Sequence, residues 1–361
     1  MNKAIEKLLD RNRAEHPRLR DQRLREVLQV IVLMGLKRAD FFEIASFYGG
    51  TALRLLHGLD RFSEDLDFCI NPGMATDFDF KSYFPAIEQT LASFGFQMTV
   101  TAQEKAQPTP IQSAFVKGNT YVNYLAIGEA RRGMHPGQVT KVKIEIDTEN
   151  PEGATREMAP ITEPEPFLVH TLDLNSLFAG KLHAIIAREM DGRVKGRDFY
   201  DFLHFIGRGA KVNLRYLRAK LIDSNHLGNN ESFDMDVFKA MLIEKIRSTN
   251  FKYAVEDVSP FIYSEQKRSE LKHWNVTFFE AFSRILTQAE SQDYPQAINN
   301  KDDPEWEYPD PNIKQTPSVD ENHEKIRCKV CGVVIRKGSK TTEADLDAEL
   351  CSKHRARAGL T

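Results

Sequence analysis

The sequence contains no long hydrophobic run. The longest apolar-rich stretch, Val27 to Leu36, falls well short of the roughly 20 residues that a membrane-spanning helix needs. The first ten residues are mostly polar, and no apolar segment typical of a secretory signal peptide follows them. These absences argue against a membrane protein and against export, so the chain is expected to be cytoplasmic.

Cysteine is scarce, and charge of either sign is not in excess. Only four cysteines occur, and three of them lie together near the C-terminus, which does not fit a disulfide-stapled domain. The formal net charge is −3, so the whole chain is not an electrostatic nucleic-acid binder, and any basic surface must be local. The length of 361 residues is sufficient for two or three globular domains.

The most informative segment runs from Tyr48 to Phe68. It opens on Gly49-Gly50-Thr51, where glycine lets backbone N–H groups approach an anion closely and the start of a predicted helix favours phosphate. It ends in a predicted strand carrying Asp65 and Asp67. Because side chains alternate along a strand, these two carboxylates share one face. Such a pair repels unless a divalent cation binds it, and oxygen ligands favour Mg²⁺ or Mn²⁺.

A second predicted strand, Lys141 to Asp147, supplies a further carboxylate. Its apolar and charged residues alternate cleanly, with the charged residues on one face. Glu145 is the preferred third carboxylate because it is central in the strand, and Asp147 is the alternative. Lys143 lies on the same face and is a candidate for substrate binding.

Two predicted helices follow, and they carry a mixed set of charges. The first begins near Asn175 or Ser176 and runs through Met190, with Lys181 and Arg188 on one face. The second, Lys195 to Ile206, has Arg197 four residues before Asp201, which allows a local ion pair.

Local patterns also predict the remaining organisation. A helix is expected from Phe84 to Phe94, and strands are expected at Phe96 to Ala102, Ala114 to Val116 and Tyr121 to Ile127. The predicted regions are N-terminal helices plus a core over 1–160, a helical domain over 161–290, a linker over 291–322 and a metal-binding module over 323–361. The stretch from Glu290 to Glu321 has nine acidic residues against two lysines and several prolines, which is typical of a linker.

In order and spacing, these motifs resemble the AbiEii/AbiGii toxin family of nucleotidyltransferases, over roughly residues 20 to 290. The resemblance rests on four segments: Gly49-Gly50-Thr51 through Arg61-Phe62-Ser63-Glu64-Asp65-Leu66-Asp67-Phe68, Lys143-Ile144-Glu145-Ile146, Lys181-Leu182-His183-Ala184, and Lys195-Gly196-Arg197-Asp198-Phe199-Tyr200-Asp201. It implies a polymerase-beta-like nucleotidyltransferase core with a helical C-terminal part. It also implies a toxin of a toxin–antitoxin or phage-defence system, in which some members transfer nucleotides to the 3′ acceptor end of tRNA.

The resemblance also implies roles for individual residues. Asp65 and Asp67 would hold the metals, Thr51 would contact phosphate, and Lys181 would contact the triphosphate. Asp198 or Asp201 would support catalysis or orient Lys181. With the residues above, the expected catalytic set is Asp65, Asp67, Glu145, Lys181, Asp198 and Asp201. The expected substrate-binding set is Gly49, Gly50, Thr51, Arg61, Ser63, Lys143, Arg188 and Arg197.

The C-terminal tail carries a separate metal motif. Cys328 and Cys331 form one short knuckle, and Cys351 and His354 form a second. Thiolates and imidazole at this spacing can complete a tetrahedral Zn²⁺ site, and so small a module would depend on the metal to fold. The tail has nine Lys or Arg against five acidic residues, so contact with nucleic acid or with protein is expected.

Together, the sequence predicts an α+β protein, with a polymerase-beta-like core of mixed sheet and helices, a helical C-terminal part and a small zinc-ribbon-like tail. The predicted activity is Mg²⁺- or Mn²⁺-dependent transfer of a nucleotide from an NTP to RNA, with tRNA favoured and an antitoxin as a possible partner. Two alternatives stay open. One is transfer to a small molecule or a protein, and the other is a non-catalytic, zinc-dependent nucleic-acid- or protein-binding regulator.

Overall fold

The computed structural model describes residues 5, 17–75, 78–103, 109–126, 135, 137–188, 194–290, 325–327 and 334–336. The chain divides into two compact units, Met1–Ala297 and Ile298–Thr361. The first unit contains a seven-stranded sheet and all of the described α-helices, so the architecture is α+β with a mixed sheet, as predicted.

The sheet has the strand order β3-β4-β5-β2-β1-β7-β6. Its strands are β1 (Ala45–Tyr48), β2 (Asp65–Ile70), β3 (Thr99–Ala102), β4 (Ile111–Asn119), β5 (Val139–Asp147), β6 (Arg156–Ile161) and β7 (Phe167–Leu172). The pairs β2·β5 and β1·β7 are parallel and all other neighbours are antiparallel. The predicted domain boundary near residue 160 falls at the β6–β7 hairpin, so the sheet continues past it.

The helices of the first unit fall into two groups along the chain. Those before β6 are α1 (Pro17–Arg38), α2 (Gly49–His57), α3 (Phe84–Ser93) and α4 (Thr120–Ala126). Those after β7 are α5 (Leu174–Ala187), α6 (Gly196–Gly207), α7 (Leu214–Asp223), α8 (Met235–Ser248), α9 (Phe251–Val258), α10 (Glu265–Glu270) and α11 (Val276–Arg284).

One face of the sheet, here called the inner face, is apolar and covered by helices. Alternate residues of β5, namely Val142, Ile144 and Ile146, are fully buried there in one cluster with the apolar residues of α1 and α3. The stretch Val27 to Leu36 lies inside α1 and is almost entirely buried, as its apolar pattern predicts. The charged residues of the same strands therefore lie on the opposite, outer face.

The helices after β7 bury a second apolar cluster, which contains many aromatic rings. The ring of Phe279 contacts those of Phe199, Phe202 and Phe251, and Phe178 stacks on Phe205. Periodic apolar residues on these helices supply this cluster. It supports α5 and α6, which carry the charged residues that the sequence singles out.

The structure differs from the sequence-based prediction in two local segments. The predicted strand from Tyr121 to Ile127 is wrong, because Thr120–Ala126 forms helix α4. The side chain of Asn119 accepts a hydrogen bond from the Val122 N–H at 3.1 Å, and this cap favours a helix over an extended strand. Helix α5 is capped by Asp173, whose carboxylate accepts from the Ser176 N–H at 2.8 Å, and so begins slightly earlier than expected.

In the second unit, the described residues form an antiparallel pair of strands, β8 (Lys325–Arg327) and β9 (Val334–Arg336). In sequence, Cys328 and Cys331 fall between these strands. All four candidate zinc ligands, Cys328, Cys331, Cys351 and His354, lie outside the described residues.

Among the described helices, none combines the length and the apolar character required to cross a bilayer.

Candidate active site

The centre of the sheet brings the predicted carboxylates together on its outer face. In the parallel pairing of β2 with β5, Asp65 lies opposite Lys143 and Asp67 lies opposite Glu145. On the other side, Asp67 lies opposite Tyr48 at the end of β1. Because the side-chain period of a strand is two, this register places all four charged side chains on one face.

Burial and neighbouring negative charges disfavour the ionised forms of Asp65 and Asp67. Burial, together with the neighbouring Asp65 and Glu145 carboxylates, raises the pKa of Asp67 to about 7. The pKa of Asp65 is also raised, chiefly by burial, with Glu64 and Glu145 adding to the effect and Lys143 opposing it. A bound divalent cation would relieve this repulsion and allow both aspartates to ionise.

The donor set fits Mg²⁺ or Mn²⁺ held by Asp65 and Asp67. Within the described residues, no three His, Cys, Asp or Glu side chains come together as a ready-made metal site. Glu145 instead forms an ion pair with Lys143 at 2.7 Å, and Asp147 lies one step further along β5, opposite Cys69. Two carboxylates are nonetheless the number that Mg²⁺ commonly takes from a protein, since water and substrate phosphates complete its shell.

The glycine turn lies directly against Asp67. Gly49 follows β1 with a φ of +82°, and a Cβ atom there would be 2.2 Å from the Asp67 Oδ2. A Cβ on Gly50 would be 2.7 Å from the Ser63 Oγ. The buried Thr51 hydroxyl donates to the backbone carbonyl of Asp65. The turn therefore has to be glycine-rich because the first turn of α2 packs on the strand that carries the aspartates.

This packing predicts that Gly49→Ala will disturb the carboxylates, whereas Gly58→Ala will not. Both glycines have positive φ, so each substitution carries a backbone cost of about 1–2 kcal/mol. Gly58, however, has nothing within 4 Å of its would-be Cβ. We expect Gly49→Ala to lose at least about 1 kcal/mol more, through steric overlap, and also to lose metal-dependent stabilisation. Urea denaturation with and without Mg²⁺ measures both effects, and equal losses in the two variants would contradict the packing argument.

A buried ion-pair network joins the segment between α2 and β2 to α5 and α6. Arg61 donates to both carboxylate oxygens of Asp201, at 2.6 and 2.7 Å. The Lys181 Nζ lies 2.9 Å from the same carboxylate and 2.8 Å from that of Asp198. Arg188 also contacts Asp198. Because Lys181 is among the charges that lower the pKa of Asp67, the network also brings positive charge to the carboxylate group.

Arg197 forms a different contact from the one its spacing predicts. Its guanidinium lies 3.3 Å from Glu64 and 3.9 Å from Asp257, and it packs over the Phe261 ring with 4.3 Å to the centroid. Asp201, its expected local partner, binds Arg61 and Lys181 instead. Arg197 therefore links α6 to the segment leading into β2, close enough to lower the pKa of Asp65.

Gln29 is a site-supporting residue that the sequence analysis missed. It is fully buried in α1, and its Nε2 donates to the backbone carbonyls of Ser63 and Glu64 at 3.0 and 2.9 Å. These contacts fix the residues immediately before β2. A glutamine within the otherwise apolar stretch from Val27 to Leu36 was the available signal, since a buried amide needs a polar partner.

The pKa of Asp67 predicts an unusual pH dependence of stability. A folded value of about 7 against an unfolded value of 3.8 means that the folded chain holds this proton more tightly. Without metal, the free energy of unfolding should therefore fall between about pH 4 and pH 7, by roughly 4 kcal/mol. Mg²⁺ should restore stability near pH 8.

Asp67→Asn should flatten this pH dependence and abolish the Mg²⁺ effect. Chemical denaturation of both proteins at about pH 5 and pH 8, with EDTA or with Mg²⁺, makes the comparison. An unchanged pH slope in the variant would show that other groups cause the decline.

The mixed seven-stranded sheet and its helices are consistent with the nucleotidyltransferase fold. The chain belongs to the family described as nucleotidyl transferase AbiEii toxin of type IV toxin–antitoxin systems, whose sequence profile matches residues 31–300. The family resemblance proposed from the motifs is therefore confirmed for this part of the chain.

Two solved structures from H. pylori are similar to this chain. One is JHP933, with 17% identity, a TM-score of 0.39, and coverage of 72% of this chain and 89% of that one. The other is described as a nucleotidyltransferase, with 18% identity, a TM-score of 0.38, and coverage of 72% and 92%. No functionally curated protein matches the sequence.

Proposed function

We propose that the chain transfers a nucleotide from an NTP to a hydroxyl group of an RNA acceptor, with tRNA as the favoured RNA. The observation that carries this proposal is the half-buried pair of Asp65 and Asp67, in register with Lys143 and Glu145 and facing a glycine turn. In the reaction, the acceptor hydroxyl loses its proton and its oxygen bonds to the α-phosphorus. The bond to the bridging oxygen breaks, and pyrophosphate leaves.

Asp65 and Asp67 would hold Mg²⁺ or Mn²⁺, which would offset the negative charge of the triphosphate. Gly49 and Gly50 leave room for a phosphate oxygen to approach the backbone at the start of α2, where the helix dipole favours negative charge. Thr51 and Ser63 border the same turn. A phosphate contact by Thr51 would require its hydroxyl to exchange its bond to the Asp65 carbonyl.

Positive side chains around the carboxylates suit a triphosphate. Lys143 and Arg197 lie near Asp65, and Lys181 lies near Asp67. Arg188, which directly follows the helix that carries Lys181, remains partly exposed. Asp198 and Asp201 hold the Lys181 ammonium in place, and Arg61 in turn fixes Asp201. Such fixed charges stabilise a developing negative charge without reorganising during the reaction.

Labelling of total RNA tests the proposal directly. The purified chain is incubated with each of the four α-labelled NTPs, total RNA and Mg²⁺, and labelled RNA is resolved on a gel. We expect label in RNA, with tRNA as the main product, and none in the presence of EDTA. If label appears only in protein or only in a small molecule, RNA is not the acceptor, and the labelled class of molecule is.

The family assignment also supports a protein partner. As a toxin of the type IV class, the chain would be counteracted by an antitoxin. We propose that the antitoxin is a protein encoded beside this chain. Co-expression that restores growth of cells producing the active chain would test this.

We propose in addition that the tail binds one Zn²⁺ through Cys328, Cys331, Cys351 and His354. Soft thiolate ligands select zinc over the Mg²⁺ expected at the aspartates. Metal analysis of the full chain should find about one zinc per molecule, and Cys328→Ser with Cys331→Ser should remove it. A wild-type chain without zinc would overturn this assignment.

A further inference from the structure

Two lysines lie directly opposite each other on the outer face of the sheet. In the antiparallel pairing of β4 with β5, Lys117 is the partner of Lys141. Within the described part of the chain, neither ammonium lies within ion-pair distance of a carboxylate. Like charges directly opposite on neighbouring strands are destabilising, so an anionic ligand would relieve the repulsion between them.

An aromatic ring adjoins this lysine pair on the side of the active site. Phe115 precedes Lys117 by two residues on β4 and so shares its face, and the Lys117 Nζ lies 4.9 Å from the Phe115 ring centroid. Phe115 is opposite Lys143, and Lys143 is opposite Asp65. With strands about 4.8 Å apart, the backbone at Phe115 lies about 10 Å from that at Asp65.

This part of the outer face is partly open to solvent, and Phe115 and Lys117 are half-buried there. Thr99 and Thr101 on β3 and Lys141 on β5 are exposed, and Val139 at the start of β5 keeps 48% of its surface accessible. The same three strands are fully covered on their inner face, where Ala114, Val116 and Val142 are buried. In the described residues, this surface combines an aromatic ring with two lysines that have no carboxylate partner, whereas an ordinary solvated face would mix both signs of charge.

The chemistry of this surface matches single-stranded nucleic acid more closely than other anions. Unstacked bases can pack on an aromatic side chain, and lysines neutralise the phosphates along the strand. A duplex keeps its bases stacked and would leave Phe115 unused. An acidic protein segment would satisfy the lysines and likewise leave the ring without a partner of matching shape.

We propose that Phe115, Lys117 and Lys141, here called the acceptor surface, bind a single-stranded segment of the RNA acceptor. A base would stack on Phe115, phosphates would lie at Lys117 and Lys141, and the end of the strand would lead past Lys143 to Asp65 and Asp67. This inference rests on the proposed function, because it assigns a binding surface to the acceptor of that reaction.

Binding of a labelled RNA, without NTP or metal, tests the acceptor surface apart from catalysis. The probe is a fluorescein-labelled single-stranded RNA of about 12 nucleotides with a free 3′-hydroxyl, followed by anisotropy at several salt concentrations. Lys117→Ala with Lys141→Ala should raise Kd at least about tenfold and lower the salt slope by about 1.4, since each phosphate contact contributes about 0.7. Phe115→Ala should raise Kd about fivefold or more without changing the slope.

A matched control is Lys81→Ala with Lys252→Ala. Both lysines are exposed and neither forms an ion pair within the described residues, but neither lies on the sheet. The control should leave Kd and slope unchanged. Since Lys117→Ala with Lys141→Ala removes a repulsive pair, its melting temperature should equal or exceed that of the wild type, which excludes misfolding as the cause of weak binding.

The outcomes separate this inference from the proposed function. If the Lys117/Lys141 variant binds RNA as the wild type does, the acceptor surface is overturned even where RNA labelling succeeds. An equal loss in the Lys81/Lys252 control would also overturn it, since charge alone would then explain binding. If RNA binding depends on the surface while no RNA is ever labelled, the surface stands and the proposed reaction fails.

Discussion

Replacing both Asp65 and Asp67 with asparagine abolishes nucleotide transfer while the chain remains folded: this is the expected result with the largest effect on activity. The two carboxylates share one face of β2 at the centre of the sheet, whereas Glu145, opposite Asp67, forms an ion pair with Lys143. Asparagine keeps the shape of each side chain but removes the charge that binds the metal. We expect a loss of at least about 10³-fold in transfer rate, because both metal binding and charge neutralisation of the triphosphate are lost.

Stability should change in the opposite direction. Burial and neighbouring carboxylates raise the pKa of both carboxyls, so their ionised forms destabilise the metal-free chain at neutral pH. The double variant should therefore unfold at an equal or higher denaturant concentration than the wild type in EDTA. If the two aspartates serve the reaction, the double variant should lose activity and gain stability. If they serve the fold, the double variant should lose both activity and stability.

Asp147→Asn is the matched control. Asp147 lies on the same face of the sheet, but it lies opposite Cys69 and beside Lys220. Transfer by this variant should stay within a few-fold of wild type. If Asp147→Asn abolishes transfer while the double variant remains active, the alternative third carboxylate from the sequence analysis becomes the principal ligand and the role of Asp65 and Asp67 is wrong.

The sequence predicts the elements of the site better than their pairing. The strict alternation of apolar and charged residues identifies β2 and β5 from the sequence. The same alternation shows that Asp65 and Asp67 share one face of β2. Their register is a tertiary property, because the pairing of Asp67 with Glu145 forms between strands that are separated along the chain by α3, β3, β4 and α4. No local pattern specifies which residues lie opposite each other across such a distance.

The same limit applies to the ion pairs. The spacing of Arg197 and Asp201 allowed a local pair on one helix face, which is the interaction that sequence spacing can suggest. The structure instead pairs Asp201 with Arg61, 140 residues away. Asp201 pairs with Arg61 because a fully buried carboxylate is stable only with charged partners, and Arg61 offers a buried bidentate contact. Arg197 instead contacts Glu64 and Asp257, which lie nearer the surface.

The largest expected effect on stability follows from that network: Asp201→Asn should destabilise the chain by about 3–5 kcal/mol. Asp201 has no exposed surface, and it accepts two bonds from Arg61 and one contact from Lys181. Burial opposes ionisation, but these two cations lower the pKa of Asp201 below its usual value. The carboxylate therefore stabilises the fold at neutral pH, and that stabilisation is lost as the pH falls through its folded pKa. Asparagine keeps one oxygen that can accept from Arg61 but carries no charge, so the buried guanidinium loses its counter-charge at this position and keeps its bond to the Phe62 carbonyl.

Glu280→Gln provides a matched control for Asp201→Asn in the same helical region. Glu280 also contacts two cations, Arg247 at 2.6 Å and Arg284 at 3.4 Å, but both arginine side chains are about two-thirds exposed. Water and salt screen this pair, so its loss should cost much less than the loss of the Asp201 carboxylate. Urea denaturation of both variants at neutral pH measures the two free energies of unfolding. Similar losses would mean that the Arg61–Asp201 pair contributes no more than a surface pair, and the network would then not be what holds the segment between α2 and β2 to α5 and α6.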